Sequence, residues 1–234
     1  MLFPLPSGIY PLRGAMGLCH LLVDPRRKAV LIDTGLVGEV FLLQRLLRRL
    51  GLKPSDIGAI LLTHGHLDHA GNLAAIQQMT GAPIYAHAAE QAHIDGTFPY
   101  EGASIWCGRL ETLGRRILRY RSAKIHFTFS DKDILPFWGG LQVIHLPGHS
   151  HGHCGFYHQG HDLLFTGDLF ASYFFNVHVP PPILNSCPAY FPTSFRRVLE
   201  INPKSILPNH YDIPDGILHR RRFDSLVRNI LPSS

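Results

Sequence analysis

An apolar run, Ala59-Ile-Leu-Leu62, passes without a spacer into Thr63-His-Gly-His-Leu-Asp-His69, so four potential metal ligands follow a strand-like segment within six residues. No other feature constrains the chain as much. A short, uninterrupted apolar run reads as a strand buried on both faces, which belongs inside a sheet covered by helices. Its polar end must then emerge where imidazoles and a carboxylate find partners. Alternate side chains leave the end of such a strand on one side, so His64 and His66 can converge on one ion while Asp68 and His69 turn toward a neighbouring ion.

The flanking sequence supports a layered α/β arrangement. Residues 19–23 and 29–32 read as strands around the turn Asp24-Pro25-Arg26-Arg27. Residues 40–50 carry Leu42, Leu43, Leu46, Leu47 and Leu50 at helical spacing and stop at Gly51. A strand over 57–62, a helix over 72–79 and a strand over 83–86 complete a β-β-α-β-α-β beginning. Residues 90–120 read as mainly helical, with 98–120 expected as a helical insert over the active site. Strands are expected over 141–146, 155–157 and 163–166, with a turn at 158–162. Residues 170–190, rich in aromatics and prolines, read as a long irregular loop of the kind that covers active sites. A helix over 193–201, a strand over 205–208 and a closing helix over 221–230 follow. With no repeat, low-complexity tract or polar linker, residues 1–234 are expected to form a single domain.

Composition narrows the function classes. Apolar residues make up 45% of the chain, yet no apolar stretch reaches the length of about 18 residues that a membrane span needs. The first twelve residues have no basic residue ahead of their apolar letters and carry Pro4, Pro6 and Pro11, unlike a secretory signal, so a soluble cytoplasmic protein is expected. Cys19, Cys107, Cys154 and Cys187 form no CxxC pair and read as free buried thiols. The arginine groups at 45/48/49, 115/116/119/121 and 220/221/222 read as solvated faces, so neither nucleic acid nor a membrane is expected as a partner. Sixteen histidines are the unusual count.

Several of those histidines sit in further motifs. His149 lies in Leu146-Pro-Gly-His-Ser-His-Gly-His153, Asp168 in Phe165-Thr-Gly-Asp168, His210 in Leu207-Pro-Asn-His210, and Asp33 in Val30-Leu-Ile-Asp-Thr-Gly35. Together with the HxHxDH string these resemble the metallo-β-lactamase superfamily over residues 17–210. The resemblance implies a four-layer αββα sandwich, two mixed β-sheets flanked by helices. It also implies that His64, His66 and His149 bind a first metal, that Asp68, His69 and His210 bind a second, and that Asp168 bridges them. Five imidazoles and two carboxylates without a thiolate suit zinc first, with iron or manganese according to supply. Asp33 would orient the ligands through hydrogen bonds, and His153 would pack behind the site. Neither His153 nor His151, which stands where relatives often have proline, is expected to be a ligand.

Two ions about 3.5 to 4 Å apart would activate a shared water at neutral pH. Asp68 is the expected acid/base group. Tyr173, five residues beyond Asp168, is expected to donate a hydrogen bond to a substrate oxygen, as a tyrosine does in similar lactone-opening enzymes, although its spacing differs by about two residues. The expected reaction is hydrolysis of a lactone, ester or thioester in a small, partly apolar molecule, with phosphoesters and β-lactams behind. Only 24 residues follow His210, too few for the helical domain of glyoxalase II. The large insert of the RNA-cleaving branch is also missing. A persulfide dioxygenase, which uses one iron on the same fold, is the alternative from another reaction class, and the aromatic loop offers a surface for a homodimer.

Overall fold

The computed structural model describes residues 5–231; Met1 to Pro4, part of the expectation about export, and residues 232–234 lie outside them. Two six-stranded sheets form the centre of the fold. The first runs in chain order through β1 (Ile9–Arg13), β2 (Leu18–Val23), β3 (Ala29–Ile32), β4 (Ile57–Leu61), β5 (Ile84–His87) and β6 (Phe127–Phe129). Its first three strands pair antiparallel and the rest parallel. The second contains β7 (Ile134–Leu135), β8 (Leu141–His145), β9 (Cys154–His158), β10 (Leu163–Tyr173) and β11 (Asn176–His178) as antiparallel neighbours, with β12 (Ser205–Tyr211) parallel to β10.

The helices are α1 (Val40–Leu50), α2 (Leu67–Ala70), α3 (Leu73–Thr80), α4 (Gln91–Asp95), α5 (Ile105–Ile117), α6 (Phe191–Ile201) and α7 (Gly216–Ile230). Between the sheets, Val30, Ile32 and Leu61 meet Val143, Phe156, Phe165 and Leu207. Outside the first sheet, Leu43 and Leu47 of α1 and Leu73 and Ile76 of α3 cover Leu31 and Ile60. Outside the second, Phe195 and Val198 of α6 and Phe223 and Val227 of α7 cover Ile144, Leu164 and Ile206. This is the αββα sandwich of two mixed sheets. It explains why β3 and β4 read as continuous apolar runs: one face of each meets the opposite sheet and the other meets helices.

Besides the short strands β6 and β7, which the sequence reading did not expect, the structure departs from it in three places. β1 contains Pro11, which argues against a strand in sequence terms; as the edge strand of its sheet it tolerates the missing N–H. α7 begins at Gly216 rather than near 221, because the Asp215 side chain accepts a hydrogen bond from the Leu218 N–H and caps the helix. The expected irregular loop over 170–190 is partly a hairpin: Phe170 to Tyr173 finish β10 and Asn176–His178 return as β11. β12 runs alongside β10 as far as Tyr211, and two register shifts flanking Gly167 let the ladder continue past Asp168. Irregular backbone remains around the short turns Pro182–Leu184 and Pro188–Tyr190.

Phe156 is fully buried between the sheets, its ring 5.7 Å from that of Phe129 and perpendicular to it. Phe156→Ala should therefore cost about 3 to 5 kcal/mol of stability, whereas loss of the α7 cap in Asp215→Ala should cost about 1 kcal/mol. Urea unfolding of both variants measures the contrast.

Candidate metal centre

The seven expected ligands come from the loop after β4 and the helix it enters, the loop after β8, and the strands β10 and β12. β4 stops at Leu61, and the chain turns so that α2 starts after His66 and carries Asp68 and His69 on its first turn. The turn is tight: a Cβ on Gly65 would lie 2.7 Å from the Cβ of His93 and 2.9 Å from the carbonyl oxygen of Glu90, so only glycine fits. His149 follows β8, Asp168 sits within the bulged part of β10, and His210 lies near the end of β12.

The side chains gather in two triplets. Ligand atoms of His64, His66 and His149 lie within 4.8 Å of one another, as do those of Asp68, His69 and His210. Asp168 stands between them. Its Oδ1 is 3.3 Å from His69 Nε2, and its Oδ2 is 3.2 Å from His210 Nε2 and 3.6 Å from His149 Nε2. Asp68 Oδ2 is 3.6 Å from His69 Nε2 and 3.7 Å from His210 Nε2. Among the described residues, His64 Nε2, His69 Nε2 and Asp168 Oδ1 are buried without a hydrogen-bond partner. Such groups are costly to bury unless something else satisfies them. Imidazole nitrogens and carboxylate oxygens are also the donors divalent ions take, so the residues present fit a metal pair.

Hydrogen bonds behind the cluster set which nitrogen of His64, His69 and His149 faces it. The Asp33 carboxylate is buried and accepts from the Thr63 N–H (2.8 Å), Thr63 Oγ1 (2.7 Å) and Asn209 Nδ2 (2.6 Å). It also accepts from His69 Nδ1 (3.0 Å), which leaves the His69 Nε2 lone pair for the centre. With its own proton on Asp33, Thr63 Oγ1 accepts from His64 Nδ1 at 3.0 Å. His149 Nδ1 is 3.0 Å from Asn185 Oδ1, to which it donates. His153 lies behind the site: Nδ1 donates to the Leu146 carbonyl (2.8 Å) and Nε2 accepts from the Asp168 N–H (2.9 Å).

Burial holds His64 well below the ordinary histidine range, and His66 and His149 at about 4, so these rings are neutral and can donate lone pairs. Burial would lower His69 and His210 too, but the Asp168 carboxylate outweighs it and raises both. Asp168, flanked by those two rings, is held well below the usual carboxylate range despite its burial.

Sequence reasoning did not single out Glu90, Asn185 or Asn209. Glu90 follows β5 in a short turn and is fully buried. Its Oε2 accepts from the Gly65 N–H (2.7 Å), while Oε1 accepts from Ser150 Oγ and the Gly152 N–H (both 2.8 Å). One carboxylate thus ties the loop of His64 and His66 to the loop of His149. Burial pushes it up to about 7 against the pull of those three hydrogen bonds. A lone glutamate at a helix start carries no spacing signal, so nothing in the sequence distinguished it. Asn209 directly precedes His210 in a quoted motif and could have been suspected.

A cavity of 160 Å³ opens beside Asp168 and His210, with Tyr173, His178, Pro181 and Leu184 in its wall. Tyr173 therefore lies at the cavity, at the end of β10. His178, which belongs to none of the sequence motifs, is part of the same wall, and its Nδ1 is buried without a partner among the described residues.

The sequence model of the metallo-beta-lactamase superfamily matches residues 12–201. The chain is 29% identical to hydroxyacylglutathione hydrolase GloC of Haemophilus influenzae over 168 residues, covering 69% of this chain and 70% of that protein. It spans about half the length of two other relatives, 45% and 50%. A metallo-beta-lactamase family protein of Thermus thermophilus superposes with a TM-score of 0.76 at 23% identity, over 96% of this chain and 80% of that one. TTHA1623, solved in a di-iron-bound form, superposes with a TM-score of 0.65 at 26% identity, over 94% and 98% of the two chains.

If Glu90 holds the two ligand loops together, Glu90→Ala should weaken metal binding by about 10- to 100-fold. Competition with a chromophoric chelator measures this directly, and an affinity equal to that of the unaltered protein would remove Glu90 from the centre's support.

Proposed function

Because the chain belongs to the metallo-beta-lactamase superfamily and is a metal-dependent hydrolase, we propose that it holds two divalent ions, zinc before iron or manganese, and cleaves an acyl bond of a thioester, ester or lactone. The observation that carries this reading is the position of Asp168, within 3.6 Å of ring nitrogens from both triplets. His64, His66 and His149 would hold one ion, and Asp68, His69 and His210 the other. When bound, such a pair supplies a water that ionises near pH 7 and a Lewis acid for the carbonyl oxygen.

The chain's own groups supply the rest. Asp68, its side chain 21% exposed, is the carboxylate most open to solvent in the cluster, and one of its oxygens can accept the proton released as water attacks. Burial raises the Tyr173 hydroxyl above its usual value, so it remains a hydrogen-bond donor at neutral pH and can steady a substrate oxygen in the cavity. A 160 Å³ cavity is close to the engineered apolar cavity of about 150 Å³ that admits benzene, so the group it takes is small and partly apolar.

Thioesters come first within this class. The sequence reading set glyoxalase II-type substrates aside because few residues follow His210. The likeness to a hydroxyacylglutathione hydrolase over 70% of its length supports restoring them. A thiolate is also a good leaving group and needs little protonation, which suits a site with a single carboxylate placed to handle protons.

Elemental analysis of the protein loaded with excess zinc and desalted should find about two ions per chain, and chelation should abolish hydrolysis. His149→Ala and Asp168→Ala should each lower kcat/KM by about 10³-fold while circular dichroism stays unchanged. Tyr173→Phe should lower kcat more than it raises KM. The assay panel is thioesters, lactones, aryl esters, phosphoesters and β-lactams. One iron per chain together with oxygen uptake on a persulfide would replace this reading with the dioxygenase.

A further inference from the structure

Helix α5 is bound to the rest of the protein along one side. Cys107 is buried, and the Glu111 carboxylate accepts from the Leu67 N–H at 2.7 Å. Arg115 pairs with Glu111 at 3.1 Å and donates to the carbonyls of His93 and Ile94 at 2.7 and 3.0 Å. The other side is different. Trp106, Leu110, Leu113 and Ile117 recur at intervals of four, three and four residues, which places them in one line along the helix, and they are 58%, 60%, 54% and 67% exposed. Arg109 and Arg116, seven residues apart, form a second line beside it, and the Arg109 guanidinium lies 4.8 Å from the centroid of the Trp106 ring.

Charge decides what such a face can meet. Residues 105–121 contain five arginines and one acid, Glu111, and that acid is turned inward against Leu67 and Arg115. The sequence reading took these arginines as a solvated face; Arg115 is instead an internal strut, while Arg109, Arg116, Arg119 and Arg121 stay exposed beside an apolar line. A second copy of the chain meeting this face symmetrically would bring Arg109 and Arg116 of both molecules together with no acid from the segment to neutralise them. An anionic bilayer meets neither difficulty. Large apolar side chains enter the boundary between headgroups and acyl chains, and arginines beside them reach the phosphates.

We propose that α5 attaches the protein to the surface of an anionic lipid bilayer. No described helix is long and apolar enough to cross a membrane, and surface attachment requires none. The expectation that a membrane is not a partner rested on that missing span and on reading these arginines as a solvated face, and neither took account of the apolar line beside them. The helix itself adjoins the cavity wall on its packed side: α5 lies against the turn Pro182–Leu184, and Leu184 forms part of the wall beside Asp168.

The test is co-sedimentation of the metal-loaded protein with vesicles of phosphatidylcholine alone or with about one third phosphatidylglycerol, at low and high salt. The expected result is a partition into anionic vesicles at least about ten times that into neutral ones, falling with salt, with a blue shift of tryptophan emission that Trp106→Phe removes. The double variants Leu110→Ser/Leu113→Ser and Arg109→Gln/Arg116→Gln alter exposed positions only. Each should cut partition about ten-fold with unchanged circular dichroism and unchanged hydrolysis of a soluble substrate. The proposal is overturned if anionic vesicles capture no more protein than neutral ones, or if both double variants bind as the unaltered protein does. It is also overturned if sedimentation shows a dimer that Leu110→Ser/Leu113→Ser converts to monomer, since a second copy then covers the face, or if the face captures an acidic protein and not the vesicles.

Discussion

Five imidazoles and two carboxylates meet at the seam between two apolar sheets, and the cost of burying them shapes everything around that seam. A buried charge persists only if opposite charge or several hydrogen bonds compensate it. Asp168 is compensated by His69 and His210, and it raises both in return. His64, His66 and His149 meet the same requirement by remaining neutral. The two triplets therefore differ electrostatically before any ion is considered: one is an uncharged nitrogen triplet, and the other joins one carboxylate, Asp68, to two imidazoles that neighbouring carboxylates raise.

The sandwich supplies the precision that this arrangement needs. Asp33 directly follows β3 with a positive φ of 58° and accepts hydrogen bonds from Thr63, Asn209 and His69, so one carboxylate links three chain segments distant in sequence. Glu90 does the same on the other flank, joining the Gly65 turn to the loop of Ser150 and Gly152. The loops that carry these side chains are thereby tied to one another, as the proposed two-ion centre requires. The bulges in β10 serve the same end, because they let Asp168 reach the centre without ending the ladder to β12.

Much of this was legible from residue order. The two apolar faces of β3 and β4, the helical stripe of α1 with Gly51 at its left-handed end, and the four motifs depend on neighbours within a few positions, so local rules reach them. The misread regions depend on distant partners. The hairpin of β10 and β11 exists because β12 lies alongside, and β1 tolerates Pro11 because it is an edge strand.

What the chain announced by itself was chemistry: which side chains were available as ligands, and in which strand-end loops they sat, since spacing along a polymer is a local property. The tertiary structure alone decided which nitrogen of His64, His69 and His149 faces inward, that Glu90 and Asn185 bond to the loops and rings of the cluster, and that Tyr173 and His178 share a cavity wall. Those outcomes depend on hydrogen bonds and packing between segments tens to hundreds of residues apart, and no local pattern encodes a distance between them.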